Sequence, residues 1–235
     1  MASISLKNCS LDIPIYNYKK IFNLKQKKIS PGGEIASNEN INIIKVLKNI
    51  NLEIKNKSVV GIIGHNGSGK SSLLRVLSGI YPPSNGIVKI NGNVTAIHNM
   101  GQGINPSLSG FENIYLRGYL LGLEKKYIDS KLNFIAEFSE LGDFLNLPIK
   151  TYSAGMISRL LFSINIIKKF DILLVDEGLG AGDVNFITKV RKKTKELLED
   201  AKICVYVSHN INFFKSIGAR IITLEKGKII NDTHK

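Results

Sequence analysis

The sequence predicts an α/β domain with a largely parallel central sheet and an antiparallel β appendage built from its N-terminal strands. Three observations predict it. The segments SVVGIIG (Ser58 to Gly64), DILLVDE (Asp171 to Glu177) and KICVYVSHN (Lys202 to Asn210) carry apolar, β-branched runs, which suit strands buried on both faces. Segments of helical period lie between them. Half-polar strands precede the first buried run. Strands alternating with helices argue for parallel pairing through crossover connections.

Taken in order, SISLKNCSLDI alternates polar and apolar residues and reads as a strand that Pro14 closes. Tyr16 to Asn40 reads as an irregular insertion carrying Lys19, Lys20, Lys25, Lys27 and Lys28, then Pro31-Gly32-Gly33. A structureless insertion of that length in a compact domain is usually functional or disordered. IIKVLKNINLEI forms a half-exposed strand and Asn56-Lys57 a turn. After SVVGIIG, SSLLRVLSG is a helix that Gly79 stops. Pro82-Pro83-Ser84-Asn85-Gly86 is a turn, and IVKING and NVTAIH are short strands. GFENIYLRGYLLGL and EKKYIDSKLNFIAEFSEL are helical, and Ser153 caps a further helix expected to run through Lys169. VNFITKVRKKTKELLED is a basic amphipathic helix, INFFKSIG a short helix, and RIITLEKGKII a hairpin turning at Lys226-Gly227.

Composition bounds the reading. The chain has 235 residues, with 32 Lys+Arg against 19 Asp+Glu, a formal charge of +13 and 43% hydrophobic residues. That is one large domain or two small ones, with roughly 70–75% of the unfolded surface buried on folding. These values are not those of a disordered or fibrous chain. The longest stretch free of Asp, Glu, Lys and Arg, Ile90 to Phe111, is full of Gly, Asn and Ser; a membrane-spanning helix needs about 20 mostly apolar residues. The N-terminus lacks the apolar core of a signal peptide. Cys9 and Cys204 stand at opposite ends, without metal-ligand spacing or a disulfide framework, which fits a reducing cytosol.

Residues 64–71 read Gly64-His65-Asn66-Gly67-Ser68-Gly69-Lys70-Ser71 and satisfy G-x-x-x-x-G-K-[ST] between an expected strand and an expected helix. Glycines let the backbone turn tightly so that N–H groups converge on phosphate oxygens. The helix N-terminus, which continues into Ser72, adds positive potential. Lys70 is expected on the β- and γ-phosphates and the Ser71 hydroxyl on Mg²⁺. The loop by itself does not distinguish a kinase from a GTPase or a motor. Further on, Ile172-Leu173-Leu174-Val175 ends in Asp176-Glu177, and open α/β sheets bind ligands at the carboxyl ends of strands. Asp176 is placed to anchor the metal and Glu177 to polarise an attacking water. No guanine-reading N-K-x-D follows, which counts against a GTPase.

Between the two elements lies Thr151-Tyr152-Ser153-Ala154-Gly155-Met156. It resembles the L-S-G-G-Q signature of ABC ATPases, with Ser153 and Gly155 matching and Tyr152, Ala154 and Met156 departing from the common form. Asp183, in GLGAGD, matches that family's D-loop aspartate, and His209 its switch histidine. The resemblance runs from about Ile4 to Asp232. YSAGM, DEGLGAGD, GINPSLSGFENIYLRGYLLGL and LDIPIY resemble the ATPase subunits that export O-antigen, teichoic acid or related polysaccharides.

The resemblance implies a phosphate-loop core with a parallel central sheet, an antiparallel N-terminal β subdomain and a helical subdomain bearing the signature. It implies a single ATPase domain over residues 1–235, without the C-terminal carbohydrate-binding domain of larger members. It implies ATP and Mg²⁺ as ligands and a homodimer in which ATP lies between Lys70 of one copy and Ser153, Ala154, Gly155 and Met156 of the other. Glu177 and His209 would be catalytic. Gln102 is a candidate for the glutamine that touches Mg²⁺ and water, although spacing from Asn105-Pro106 puts that position nearer Met100. Tyr16 and Tyr18 are candidates for stacking on adenine, worth on the order of 1 kcal/mol. The partner would be an integral membrane permease, with this chain peripheral on the cytoplasmic face of the inner membrane. Another ABC system, either a small-molecule transporter or a non-transport ATPase, is the alternative.

The charge is concentrated in Lys19–Lys28 and in Lys189, Arg191, Lys192, Lys193 and Lys195. One reading is a solvated loop and helix face. The sharper one is attraction to anionic lipid, worth about 1 kcal/mol per basic residue near the surface. No helix-turn-helix, zinc or single-strand stacking pattern accompanies the charge, so nucleic acid is not expected as a partner.

Overall fold

The computed structural model of the chain describes residues 1–16, 35–38, 41–97, 103–176, 184–209 and 211–233. An antiparallel sheet of four strands is formed by β1 (Ser3–Tyr16), β2 (Ile35–Asn38), β3 (Ile41–Ile54) and β5 (Asn85–Asn91), in the order β2-β3-β1-β5. The central sheet has the order β10-β9-β4-β8-β7-β6. Its strands are β4 (Ser58–Ile63), β6 (Val94–Ile97), β7 (Ile172–Val175), β8 (Ile203–Val207), β9 (Arg220–Glu225) and β10 (Lys228–Asp232). All neighbours in it are parallel except the β9–β10 hairpin. The α-helices among the described residues are α1 (Lys70–Leu77), α2 (Gly110–Leu120), α3 (Lys125–Ser139), α4 (Ala154–Asn165), α5 (Val184–Asp200) and α6 (Ile211–Ser216).

The apolar runs of the central strands are buried on both faces with a period of two, as their composition requires. Ile172 and Leu174 of β7 and Val205 and Val207 of β8 join the core beneath the antiparallel sheet, with Ile4, Leu52 and Ile54 and with Leu73, Leu74 and Leu77 of α1. Leu173, Val175 and Cys204 face the opposite side, against Phe162 of α4 and Phe186, Val190 and Leu197 of α5. A third core, with Ile114, Ile128, Ile135, Leu160 and Ile164, holds α2, α3 and α4 together as a helical unit. Cys9 and Cys204 are buried free thiols. Burial pushes both thiols above their ordinary pKa, which keeps them unreactive.

Several boundaries differ from the sequence reading; Asn85 and Gly86, read as the end of a turn, already belong to β5. β1 does not stop at Pro14 but continues to Tyr16, where it pairs with Ile41. β5 accompanies β1 only from Ser3 to Ser10, so Pro14 lies on a stretch with one flanking strand, where proline is tolerated. The stretch read as irregular contributes β2, paired antiparallel with β3. α4 ends at Asn165 rather than Lys169. The chain must enter β7 where Asp171 is already pinned: its N–H donates to the Asn93 carbonyl at 2.9 Å and its carboxylate accepts from the Asn93 N–H at 2.9 Å. Residues 166–170 therefore serve as the connection. Among the described residues no helix is long and apolar enough to cross a membrane.

Candidate nucleotide site

The site begins where β4 leaves the sheet. Lys70 opens α1, and its side chain is buried; Nζ donates to the carbonyls of Gly64 at 2.7 Å and His65 at 3.0 Å. The ammonium thus lies over the loop rather than in bulk water. Gly69 precedes α1 in the left-handed region (φ 107°), no side chain caps the helix, and its first turn holds no acidic residue. The contrast with α2 is sharp, since there Ser109 and Glu112 form a reciprocal capping box. Hydrogen bonds from the Ser109 N–H and hydroxyl hold the Glu112 carboxyl below the usual carboxylate range. An uncapped, carboxylate-free helix start leaves backbone donors and the positive dipole end for an external anion.

The loop is braced from beneath. A Cβ on Gly64 would stand 2.2 Å from the Leu224 carbonyl oxygen and 2.6 Å from Ser68 Oγ, so no side chain fits. Ser68 Oγ is buried and has no hydrogen-bond partner among the described residues. The tip of the β9–β10 hairpin closes the brace: the Gly227 N–H donates to the Ser68 carbonyl at 2.9 Å, and the Gly227 carbonyl accepts from the Lys48 N–H at 2.8 Å. Gly227 has φ 78°, and a Cβ there would meet the Val46 carbonyl oxygen at 2.3 Å. Gly227→Ala is accordingly expected to cost about 1–3 kcal/mol of stability and to weaken nucleotide binding as the hairpin lifts. Urea unfolding and nucleotide titration check it; a destabilised variant with unaltered nucleotide affinity would show that the loop needs no brace.

β4, β8 and β7 are consecutive neighbours and all parallel, with Ile62 opposite Val207 and Val175 opposite Tyr206. Gly64, Ser208–His209 and Asp176 therefore leave the sheet at one edge, within two strand spacings of about 5 Å each. The Ser208 N–H donates to the Ile62 carbonyl at 3.3 Å, and the Asp176 N–H to the Ile97 carbonyl at 3.3 Å. Asp176 is half-buried; His209, His65, Asn66, Gly67 and Ser71 are exposed, and Ser72 is half-buried.

Ser153 caps α4, its hydroxyl accepting from the Met156 N–H at 3.2 Å. Ser153, Gly155 and Met156 line an open pocket of about 530 Å³ together with Glu140, Phe144 and Arg159, and Ala154 is exposed beside it. No phosphate-loop residue lines that pocket. Within one chain the structure groups Lys70, Asp176 and His209 and leaves the Ser153–Met156 turn apart from them. Tyr16 is the last residue of β1, and its side chain lies outside what is described. Glu177, Asp183, Gln102, Met100, Tyr18 and Lys19–Lys28 lie outside the described residues.

Asn113 is a structural residue that the sequence reading passed over. Asn113 is fully buried, donates to the carbonyls of Asn105 (3.0 Å), Leu108 (3.1 Å) and Ser109 (2.8 Å), and accepts from the Asn105 N–H at 2.8 Å. It pins residues 105–109 onto α2. The S-x-x-E of Ser109–Glu112 was its available signal.

Strand, glycine loop, uncapped helix and strand-end carboxylate define a phosphate-binding α/β nucleotide domain. The ABC transporter family profile matches residues 47–180. The O-antigen export system ATP-binding protein RfbE of Yersinia enterocolitica is 40% identical over 235 residues, covering 99% of this chain and 98% of that protein. The teichoic acids export ATP-binding protein TagH of Shouchella clausii is 40% identical over 183 residues, 78% of this chain and 51% of that protein. A bacterial ABC transporter cassette solved as a dimer superposes with a TM-score of 0.71 at 25% identity, covering 97% of each chain. This chain belongs to the ABC transporter family and is one of its ATP-hydrolysing members.

Proposed function

We propose that this chain is the ATPase subunit that powers export of a polysaccharide, of O-antigen or teichoic-acid type, across the cytoplasmic membrane. The observation that carries the reading is the 40% identity to an O-antigen export ATP-binding protein across nearly the full length of both chains. The chain works as a homodimer, peripheral to the membrane, with a membrane-spanning permease. ATP bound by Lys70 and the 64–71 backbone of one copy is contacted by Ser153 and Gly155 of the other. Because the signature turn contacts the γ-phosphate only while it is attached, binding closes the dimer and hydrolysis reopens it, a two-state equilibrium shifted by differential affinity.

The donor set fits Mg²⁺. The Ser71 hydroxyl at the start of α1 and the Asp176 carboxylate at the end of β7 are hard oxygen ligands, and Mg²⁺ typically takes one or two protein ligands with water and substrate phosphates. Bound there, the ion neutralises charge on the phosphates. Asp176 and Ser71 would hold it, Glu177 would polarise the attacking water, and His209 would orient the transferring group. Asp183 is the D-loop residue, Gln102 the candidate for the glutamine on the metal and water, and Tyr16 or Tyr18 the candidate for stacking on adenine.

The export reading is tested in the cell of origin. Deleting the gene is expected to remove the polysaccharide from the cell surface and leave its lipid-linked form inside. Unaltered surface glycan would overturn the export reading while leaving ATP hydrolysis intact.

The excess charge supports a lipid contact through the insertion more than through α5. Lys189 pairs with Glu140 and Lys193 with Glu196, which offsets part of the helix's positive charge. We expect salt-sensitive binding to anionic vesicles that is lost when Lys19–Lys28 are neutralised; equal binding after neutralisation would refute the contact.

A further inference from the structure

Glu140 sits in a place that local physics disfavours. It follows α3 with φ 56° and ψ 32°, the left-handed C-terminal position that glycine fills most readily. A carboxylate at a helix C-terminus also opposes the helix dipole. Two cations explain its presence. Glu140 Oε1 accepts from Lys189 Nζ of α5 at 2.6 Å, and Oε2 accepts from Arg159 Nη1 of α4 at 2.9 Å. These contacts, led by the Lys189 hydrogen bond, hold its carboxyl below the usual range.

The junction is built on both sides of that carboxylate. Lys189 Nζ donates to the Phe138 carbonyl at 3.0 Å, serving an open end of α3, and lies 4.7 Å from the Phe138 ring centre. The Arg159 guanidinium lies 4.6 Å from the Phe186 ring centre, and Phe186 packs edge-on against Phe138. Arg159 lies six residues past Ser153 in the helix that Ser153 caps, and α5 belongs to the nucleotide core through Val190 and Leu197. Glu140 and Arg159 also line the 530 Å³ pocket that Ser153, Gly155 and Met156 line.

We infer that Glu140 is a positioning residue: it clasps the helical unit to α5 and so sets the direction in which Ser153 and Gly155 face a second copy's nucleotide. The inference rests on the proposed ATP-bridged dimer. Among the described residues Glu140 bonds to Arg159 and Lys189 and to no phosphate-loop residue, so its loss acts on assembly and not on nucleotide capture by one chain.

The test uses the full chain in a Glu177→Gln background, in which ATP-driven dimers are expected to accumulate. Glu140→Gln, which keeps shape and removes charge, is expected to raise the protein concentration for half-maximal dimerisation about 3- to 30-fold. ATP affinity of the single chain, measured by titration at low protein concentration, should stay as in the parent. Lys189→Met should produce a similar shift, and the double variant should be no worse than either single one, because all three break one junction. Unchanged dimerisation in Glu140→Gln overturns the inference, and so does an equal loss of single-chain ATP affinity or additive single-variant effects. A Glu177→Gln parent that fails to dimerise with ATP overturns the dimer reading and the inference with it.

Discussion

Lys70→Ala is expected to weaken ATP binding roughly 10- to 150-fold, the value of losing a charge-assisted contact of about 1.5–3 kcal/mol. The geometry makes the ammonium hard to replace. It is almost fully buried, anchored by the Gly64 and His65 carbonyls, and placed where the uncapped start of α1 already favours an anion. Part of the loss comes from the loop, whose two carbonyls lose this donor. Comparing ATP titration with thermal unfolding separates the terms, since a loop effect appears without nucleotide and a phosphate contact only with it. Unchanged ATP affinity would remove Lys70 from the phosphates.

Glu177→Gln is expected to lower turnover by at least about 100-fold, the lower range for losing a general base, while ATP binding persists. Retained binding with blocked hydrolysis should hold two copies together, so a species of doubled mass should appear on size exclusion with ATP and Mg²⁺. The physical basis is the edge that Asp176 shares with Gly64 and Ser208–His209, one residue before Glu177. Normal turnover in the variant would take the catalytic role from Glu177.

The two expectations differ in how much of them the sequence carries. Lys70 is legible from spacing, because G-x-x-x-x-G-K-S after a buried strand has few other uses. That Lys70 turns back onto Gly64 and His65, and that Gly227 lies under Ser68, is not legible. Gly227 is 159 positions from Ser68, and a hairpin turn reads the same wherever its tip rests. Glu140 was hidden for a similar reason. Its partners Arg159 and Lys189 are 19 and 49 positions away, and nothing in the periodicity of α3 distinguishes a solvated helix-end glutamate from a clasp. Within the basic cluster of α5, the sequence shows like charges in a row, whereas the structure shows Lys189 and Lys193 each matched by a carboxylate.

The sequence by itself determined the alternation of buried strands and helices, the phosphate loop, the carboxylate at the end of β7 and the Ser153 cap. These are local properties, written in side-chain period, glycine spacing and capping chemistry. Only the tertiary structure decided that β5 leaves the central sheet to flank β1, while β6, a few residues later, joins β7. The same holds for the β4-β8-β7 adjacency that gathers Gly64, His209 and Asp176, and for the joining of α3, α4 and α5 through Glu140. Strand order and interhelical contacts are chosen by which apolar faces can be buried together across the whole chain, and that competition leaves no mark on any single segment.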